Sequence, residues 1–442
     1  NMRRFLSRNT LPPIDAIRIE EMVNYFRYGY APPTDDRPFA VHVGVASCPW
    51  QNGNRLVRIG LKGRVPGPGT RPPTNLVFLL DVSGSMQSRD KLPLLKDGMK
   101  MLVNQLGEND RVAIAVYAGA SGLVLPSTSA DRKEQILDAL DRLRAGGSTN
   151  GGAGIELAYR TAVENSVEGG INRVILATDG DFNVGVTDRG SLTRLIEEKA
   201  RTGVFLTVLG FGSGNLQDAT MEQLADKGNG AYAYIDNEKE ARKVLVEQLG
   251  STLQTIAKDV KIQIEFNPAQ VSAYRLIGYE NRALRDEDFN DDSKDAGEIG
   301  AGHTVTAFYE VVPAGVETLA APPAVDALRY QARATLNDAA ASGELMTVKL
   351  RYKEPDGNQS ELLQVPVQNS STSWEAMPDD FQFSSAVALF GMILRHSQYS
   401  GNATIDTVLE LAEPAAQADP HGTRAEFLDL ARKAKELLPA RR

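Results

Sequence analysis

The sequence predicts an α/β fold, with a doubly wound, mostly parallel sheet inserted into a β-sandwich domain and followed by a C-terminal helical segment. Three observations predict it. Residues 76–80 (LVFLL) form an unbroken apolar run that is typical of a central strand buried on both faces. Strand and helix patterns alternate over 73–255, as they do where crossover helices join parallel strands. On both sides of that region apolar and polar residues alternate, as in antiparallel strands.

Residues 1–72 contain one predicted helix and two predicted strands. Apolar side chains recur at helical spacing over 14–26, after a pair of prolines. Alternating patterns over 39–45 and 56–61 predict the strands. Because two strands alone are only marginally stable, we expect them to pair with strands from beyond the α/β region. A proline- and glycine-rich linker then leads into the central strand.

Residues 73–255 form the α/β domain. After the central strand, further strands are predicted at 111–117, 122–125, 173–178, 204–210 and 231–235. The helices between and after them are predicted at 92–106, 136–143, 155–163, 192–200, 221–225 and 241–253. In open sheets of this kind ligands bind at the carboxyl ends of the strands, so the loops that follow the strands are the candidate functional regions.

Residues 256–372 return to strand periodicity and supply the β-rich remainder of the sandwich. The strands are predicted at 260–266, 271–279, 304–312, 345–352 and 362–367. A Pro-Asp-Gly turn joins the last two strands as a hairpin. Residues 373–442 form the helical region, with helices predicted at 386–394, 405–411 and 425–438.

Composition limits the function classes. The chain has 442 residues, of which 42% are hydrophobic and 24% charged, as in a folded protein of two or three domains. A formal charge of -9 argues against nucleic-acid binding. Cys48 is the only cysteine, which excludes an intrachain disulfide and a thiolate metal cluster. No stretch reaches the roughly 20 apolar residues of a spanning helix, so we expect no membrane insertion by this chain. Since the sequence begins at Asn1, we expect a segment upstream of it.

Oxygen-bearing side chains occur in three loops at strand ends. The central strand ends on Asp81, and Ser83 and Ser85 follow in a tight turn. Thr149 lies in the glycine-rich segment GGSTN, and Asp179 follows a later strand. Two carboxylates with hydroxyls are ligands typical of Mg²⁺ or Mn²⁺ and not of zinc. Five side chains leave room in an octahedral shell for an outside oxygen, such as a carboxylate of a partner.

These motifs resemble the metal-ion-dependent adhesion site of von Willebrand factor type A (vWA) domains, which have a Rossmann-like fold. The matching segments are DVSGS at 81–85, GGSTN around Thr149 and ATDGD around Asp179. The resemblance implies that Ser83 and Ser85 ligate the metal directly. It also implies that Asp81 and Asp179 ligate it or hold coordinating waters, and that Thr149 binds or releases with conformational state. The implied ion is Mg²⁺, with Mn²⁺ or Ca²⁺ as alternatives.

The resemblance covers nearly the whole chain. NMRRFL, RIEEMVNYF, DKLPLL, ADKGNGAYAYID and RLIGYENR resemble bacterial vWA proteins that also carry an uncharacterised C-terminal domain. Members of that group resemble exported or lipid-anchored proteins of the cell envelope. The resemblance therefore implies an extracytoplasmic location, in the envelope or periplasm, and a lipid anchor upstream of this chain.

Two further motifs have competing interpretations. The segment AGGSTNGGAG at 145–154 precedes a helix and could bind phosphate, but it lacks the lysine of a P-loop, so presentation of Thr149 is the better interpretation. The acidic segment at 286–295 resembles a calcium loop, but Asp291 stands where such a loop requires glycine. A solvated loop is the favoured interpretation. A remaining hypothesis is that one of its carboxylates occupies the open metal position.

Three functional classes remain. The favoured one is a metal-dependent protein-binding module for adhesion or assembly in the envelope, whose metal binds an acidic residue of an unknown protein partner. The second is a metal-assisted hydrolase or phosphoryl-transfer enzyme, with Asp81 as nucleophile or Asp181 as base. The ligand motifs contain no Lys, Arg or His to stabilise an oxyanion, which argues against it, and we predict no enzyme. The third is an envelope scaffold in which the metal stabilises three loops.

Overall fold

A computed structural model of the protein describes residues 2–438, apart from 66, 68–70, 120, 148–150, 181–188, 213–217, 249–252, 280–288, 291–295, 317–335, 356, 371 and 418. The α-helices in the described residues are α1 (Met2–Ser7), α2 (Ile19–Asn24), α3 (Leu92–Gln105), α4 (Lys133–Arg142), α5 (Gly151–Glu164), α6 (Arg189–Ala200), α7 (Asp218–Lys227), α8 (Glu238–Arg242), α9 (Asp379–Leu394), α10 (Ile405–Ala412) and α11 (Thr423–Leu437).

The strands in the described residues belong to three sheets. They are β1 (Phe39–Ser47), β2 (Arg55–Gly63), β3 (Thr74–Asp81), β4 (Arg111–Tyr117), β5 (Ser121–Ser129), β6 (Ile171–Thr178), β7 (Phe205–Phe211), β8 (Tyr232–Ile235), β9 (Thr255–Phe266), β10 (Val271–Ile277), β11 (Gly297–Gly300), β12 (Thr304–Pro313), β13 (Glu344–Lys353) and β14 (Ser360–Gln368).

The central sheet has the order β5-β4-β3-β6-β7-β8. Its strands are parallel except β5, which pairs antiparallel with β4. Every residue of β3 is buried, as its continuous apolar run predicts. Leu80 of β3 pairs with Ala177 of β6, so Asp81 and Asp179 come at the same edge of the sheet. This alignment positions the candidate site.

Helices cover both faces of the central sheet. On one face, α3 and α4 pack against Phe78 and Leu80 of β3. On the other, α5, α6 and α7 pack against Val77 and Leu79. The alternation of successive strand residues between two helix layers is the arrangement of a doubly wound fold, which the sequence predicts.

Two four-stranded antiparallel sheets form the sandwich. One has the order β1-β2-β12-β10, and the other β11-β9-β13-β14. They enclose a core that includes Val57 and Leu61 from the first and Val348 and Leu350 from the second. In the first sheet β2 pairs directly with β12, although the whole α/β domain lies between them in sequence. The predicted fold class, an α/β domain inserted into a β-sandwich with helices at the C-terminus, is confirmed.

Some elements differ from their predictions. The helix predicted over 14–26 is interrupted: a 3-10 turn over Ile14–Ala16 precedes α2, and the backbone between them is extended. This break allows Ile17 and Ile19 both to reach the core. The helix predicted over 241–253 begins earlier, because the Asn237 side chain accepts a hydrogen bond from the Glu240 N–H and caps α8.

The N-terminal segment and the C-terminal helices share one core. Within α9 the residues Phe383–Leu394 are all buried. Their cluster includes Ile19 and Phe26 from the start of the chain and Phe427 from α11. Among the described helices, none combines the length and apolar character needed to cross a membrane.

Candidate metal centre

Asp81 lies at the C-terminal end of β3 and is completely buried. Its Oδ1 accepts a hydrogen bond from the Ser83 backbone N–H at 2.9 Å. Its Oδ2 accepts hydrogen bonds from the hydroxyl groups of Thr178 at 3.0 Å and Tyr117 at 3.3 Å. Thr178 ends β6 and Tyr117 ends β4, which are the two strands that flank β3. Three adjacent strands therefore hold this carboxylate in one orientation.

Ser83 and Ser85 follow Asp81 in a tight loop. Ser85 lies in a 3-10 turn over Gly84–Gln87, which the buried Met86 anchors in the core. The two hydroxyl groups hydrogen-bond to each other, with their oxygens 3.0 Å apart. Two neighbouring ligands of an octahedral Mg²⁺ ion, each about 2.1 Å from the metal, are separated by roughly 3.0 Å. The hydroxyl pair thus has the spacing of two adjacent positions in such a shell.

Backbone hydrogen bonds join this loop to the segment that precedes α5. The Gly84 N–H donates to the Gly147 carbonyl at 3.0 Å, and the Gly146 N–H donates to the Val82 carbonyl at 2.8 Å. Thr149, the ligand predicted in that segment, lies outside the described residues. The structure therefore places the backbone on one side of Thr149 beside the loop that carries the two serines.

Asp179 follows Thr178 and is also buried. The Gly180 N–H donates to the Thr178 hydroxyl at 3.1 Å, and this hydroxyl in turn donates to Asp81. Of the five predicted ligands, Asp81, Ser83, Ser85 and Asp179 thus meet at the C-terminal edge of the central sheet. Asp181, the candidate base, lies outside the described residues.

Lys91 is a member of the site that is not among the residues predicted from the sequence. Its Nζ lies 2.8 Å from Oδ2 of Asp179 and donates to the Ser85 carbonyl oxygen at 3.0 Å. The expectation that no cationic side chain accompanies the ligands is therefore wrong. The contact joins residues 88 positions apart, so it follows from the register of β3 and β6 rather than from any local motif. In the sequence, Lys91 lies within the DKLPLL segment at 90–95.

Burial and a neighbouring charge act on the ionisable groups of the site. Burial raises the pKa of the Asp81 carboxyl, and the charge of Asp179 raises it further, against hydrogen bonds from Ser83 that lower it. Burial also raises the pKa of Tyr117 well above its usual value, with the charge of Asp81 as a second cause. A divalent cation beside both carboxylates would stabilise their ionised forms. The donors are all oxygens, which fits Mg²⁺ or Mn²⁺ and does not fit zinc.

The acidic segment at 286–295 is described only at Phe289 and Asn290. Phe289 is buried and Asn290 is exposed. The carboxylates of this segment lie outside the described residues, and so does Asp291, the position that argues against a calcium loop. The hypothesis that one of them reaches the metal position stays a prediction.

Three family models match consecutive parts of the chain. The model for the von Willebrand factor type A domain matches residues 75–248. A model described as the C-terminal part of the uncharacterized protein YfbK matches residues 251–437, and one described as von Willebrand factor matches residues 1–58. The match over residues 75–248 contains all five predicted ligands.

Several known proteins are similar to this chain. The uncharacterized protein YfbK of Escherichia coli (strain K12) is 43% identical over 437 residues, which are 97% of this chain and 75% of that protein. The uncharacterized protein sll0103 of Synechocystis sp. is 29% identical over 187 residues, covering 42% of this chain and 43% of that protein. A solved structure, von Willebrand factor type A from Catenulispora acidiphila, is 15% identical and covers 90% of this chain and 91% of its own, with a TM-score of 0.45. The chain belongs to the YfbK family of von Willebrand factor type A domain proteins.

Proposed function

We propose that this protein is a metal-dependent protein-binding module. Asp81, Ser83, Ser85 and Asp179, together with Thr149, would hold Mg²⁺ or Mn²⁺, and a carboxylate of a protein partner would complete the shell. The observation that carries the proposal is the convergence of two buried carboxylates and a pair of hydroxyls 3.0 Å apart at one edge of the sheet. That edge is where ligands bind in open α/β folds.

Each residue has a defined part in this function. Asp81 accepts three hydrogen bonds, so it holds the loops from three strands together and supplies negative charge. Ser83 and Ser85 hold their hydroxyl oxygens 3.0 Å apart, and the hydrogen bond from the Gly84 N–H to the Gly147 carbonyl fixes the backbone between them. When bound, the metal supplies the positive charge that attracts a carboxylate. The protein contributes ligand side chains that its own hydrogen bonds already hold in place, which lowers the entropic cost of binding the metal.

The geometry favours binding over catalysis. Both oxygens of Asp81 already accept hydrogen bonds, which makes this carboxylate a poor nucleophile. The Lys91 ammonium contacts Asp179 and the Ser85 carbonyl, so its charge is directed at the protein rather than at a substrate. We therefore propose a module without enzymatic activity. Asp81-dependent turnover of phosphoester substrates would contradict this.

We also propose that the protein acts outside the cytoplasm, in the bacterial envelope or periplasm. The support for this location is the resemblance of its motifs to exported and lipid-anchored proteins. Fractionation of the producing bacterium, followed by immunodetection, tests it. Recovery of the protein with cytosolic markers would contradict the proposal.

Calorimetric titration with Mg²⁺ and Mn²⁺ tests the metal site. We expect binding by the wild type, loss of binding in Asp81→Ala, and wild-type behaviour in Asp97→Ala. Asp97 is an exposed carboxylate on α3, so this control removes the same charge away from the site. Absence of binding by the wild type, or equal binding by Asp81→Ala, would overturn the proposal.

The same variants test partner binding. Immobilised wild type should retain an envelope protein in Mg²⁺ and release it in EDTA, and Asp81→Ala should retain none. Ser83→Ala provides the contrast with a scaffold function. If Ser83→Ala loses thermal stability but keeps the partner, the metal only stabilises the loops and the scaffold interpretation replaces this proposal.

A further inference from the structure

We infer that Lys91 is an internal competitor of the divalent cation and sets the metal affinity of the site. Its ammonium group contacts the Asp179 carboxylate and the Ser85 carbonyl, so a metal ion that binds Asp179 must displace or repel it. This inference rests on the proposed metal-binding function and adds a regulatory element to it.

The contact with Asp179 is largely excluded from water. The side chain of Lys91 is 13% exposed and that of Asp179 is 1% exposed. An ion pair in such surroundings is screened much less by salt than one at the surface. The pair also joins the loop after β3 to the loop after β6, which are two of the three loops that carry the predicted ligands.

The stem of Lys91 lies along Gly212, which follows β7. A Cβ atom at residue 212 would come within 2.3 Å of Cε, 2.8 Å of Cγ and 3.0 Å of Cδ of Lys91. The Tyr234 hydroxyl donates to the Gly212 carbonyl at 3.0 Å and holds this backbone in place. The absence of a side chain at residue 212 therefore gives the lysine a defined path toward Asp179.

The charges of the site predict that Lys91 and a divalent cation compete for Asp179. Asp81 and Asp179 carry two formal negative charges, and Lys91 compensates one of them. A divalent ion bound to Asp179 would lie close to the Lys91 ammonium group, because the ammonium group contacts the same carboxylate. Two positive charges that share one carboxylate repel each other strongly in a partly dehydrated site. The metal must therefore bind against this repulsion. The lysine weakens metal binding and at the same time stabilises the loops when no metal is bound.

Replacing Lys91 by methionine tests the inference, because methionine keeps an unbranched stem beside Gly212 and removes the charge. We expect Lys91→Met to bind Mg²⁺ at least about tenfold more tightly than the wild type in calorimetric titration. In EDTA we expect the same variant to unfold at a lower temperature than the wild type, since both carboxylates then lack a counter-charge. Added Mg²⁺ should raise its unfolding temperature more than that of the wild type.

The matched control is Lys100→Met. Lys100 lies on α3, the helix that Lys91 precedes, and forms a more exposed ion pair with Asp141 at 2.6 Å, so this change removes the same charge away from the candidate site. We expect its Mg²⁺ affinity to equal that of the wild type. Equal tightening in both variants would assign the effect to net charge and overturn the inference.

The outcomes separate this inference from the proposed function. If the wild type binds Mg²⁺ and Lys91→Met binds it equally or more weakly, the inference fails and the metal site stands. If neither protein binds Mg²⁺ or Mn²⁺, both fail. If Lys91→Met does not fold, Lys91→Gln replaces it, since its neutral amide can still donate to Asp179. Tighter binding by that variant supports the inference, and unchanged binding overturns it.

Discussion

At the residue scale, two buried carboxylates, Glu310 and Asp81, are each matched to several specific partners. Glu310 in the sandwich is an example, since it is buried and contacts three donors. It accepts hydrogen bonds from Asn54 at 2.6 Å and from Trp50 at 3.4 Å, and it forms an ion pair with Arg275. Removing one partner from such a group is costly because the remaining charge is left without compensation. Asp81 follows the same rule, with three donors of its own.

Cys48 gives a prediction at this scale. The thiol is buried, and burial raises its pKa to about 12. Thiol reagents attack the thiolate, so we expect Cys48 to react with Ellman's reagent at pH 8 only when the protein unfolds. Because Cys48 is the only cysteine, the reaction reports one site. Rapid labelling under native conditions would show that the N-terminal part of the sandwich opens readily.

The same thiol predicts a pH dependence of stability. In the unfolded chain the thiol ionises near pH 9.0, whereas in the folded protein its pKa is about 12. The folded state therefore binds more protons between these values, and the free energy of unfolding falls as the pH rises through that window. We expect the stability difference between the wild type and Cys48→Ala to decrease above pH 9. Urea titrations at several pH values measure it, and an unchanged difference would contradict the prediction.

At the element scale, close approach between helices and sheet depends on particular glycines. Gly154 lies in α5 where it crosses β4 and β3. A Cβ atom there would come within 2.8 Å of the Tyr117 Cβ and 3.3 Å of the Leu79 Cδ1. The glycine therefore sets how closely α5 packs against the strands that end in the candidate site.

We predict that Gly154→Ala destabilises the protein. Alanine favours a helix over glycine by about 1 kcal/mol, but overpacking a tight interface costs about 1–3 kcal/mol, so the balance is unfavourable. Gly146→Ala is the control, because a Cβ atom there meets no atom within 4 Å. Urea denaturation should show a loss of stability only for Gly154→Ala. A stabilised Gly154→Ala would mean that α5 moves away from the sheet at little cost.

The elements also show what the sequence could predict. The run over 76–80 identifies β3 because a strand buried on both faces has no polar side to mask its signal. In contrast, α1 and β11 have six and four residues, and segments this short are stabilised by contacts that the sequence does not reveal. The break between the 3-10 turn and α2 also depends on tertiary contacts. The extended backbone at Ile17 buries its side chain in the core, which a continuous helix over 14–26 would not allow.

The candidate site was predictable to the extent that its residues lie within motifs. Asp81, Ser83 and Ser85 lie within five consecutive residues. Their loop is predictable because it comes directly after the apolar strand over 76–80. Lys91 could not be assigned, because its contact with Asp179 depends on two strands meeting side by side and on Gly212 leaving space for its stem. Residues of this kind can be assigned to a site only from the tertiary structure.

At the scale of the whole molecule, the first and last described helices, α1 and α11, line one cavity together with loops of the α/β domain. A cavity of about 550 Å³ lies among α1, α11 and the loops of the α/β domain. Its lining includes Arg3, Asp236, Glu426 and Asp90, the last of which precedes Lys91. Glu426 of α11 and the residue before Lys91 therefore line the same cavity.

Arg3 is the residue that joins these parts. Its Nη1 lies 3.0 Å from Asp236, which follows β8, and its Nε lies 2.7 Å from Glu426 of α11. Its Nη2 donates to the Tyr25 hydroxyl at 2.6 Å. One guanidinium group thus connects the N-terminal segment, the α/β domain and the C-terminal helices. Its side chain is 23% exposed, so these contacts are only partly screened by water.

We predict that Arg3→Gln weakens the attachment of the C-terminal helices to the α/β domain. The loss of charge leaves Asp236 and Glu426 without the cation that contacts both of them, which should lower the free energy of unfolding by about 1–3 kcal/mol. Hydrogen exchange should increase in α8 and α11 and stay unchanged in β3 and β6. Arg8→Gln is the control, because Arg8 lines the same cavity but is exposed.

The exchange pattern distinguishes a local connection from a general loss of stability. If Arg3 joins the two regions, exchange in α11 rises while the central sheet keeps its protection, because opening is confined to the elements that Arg3 holds. If exchange rises equally in every element, Arg3 acts on global stability alone.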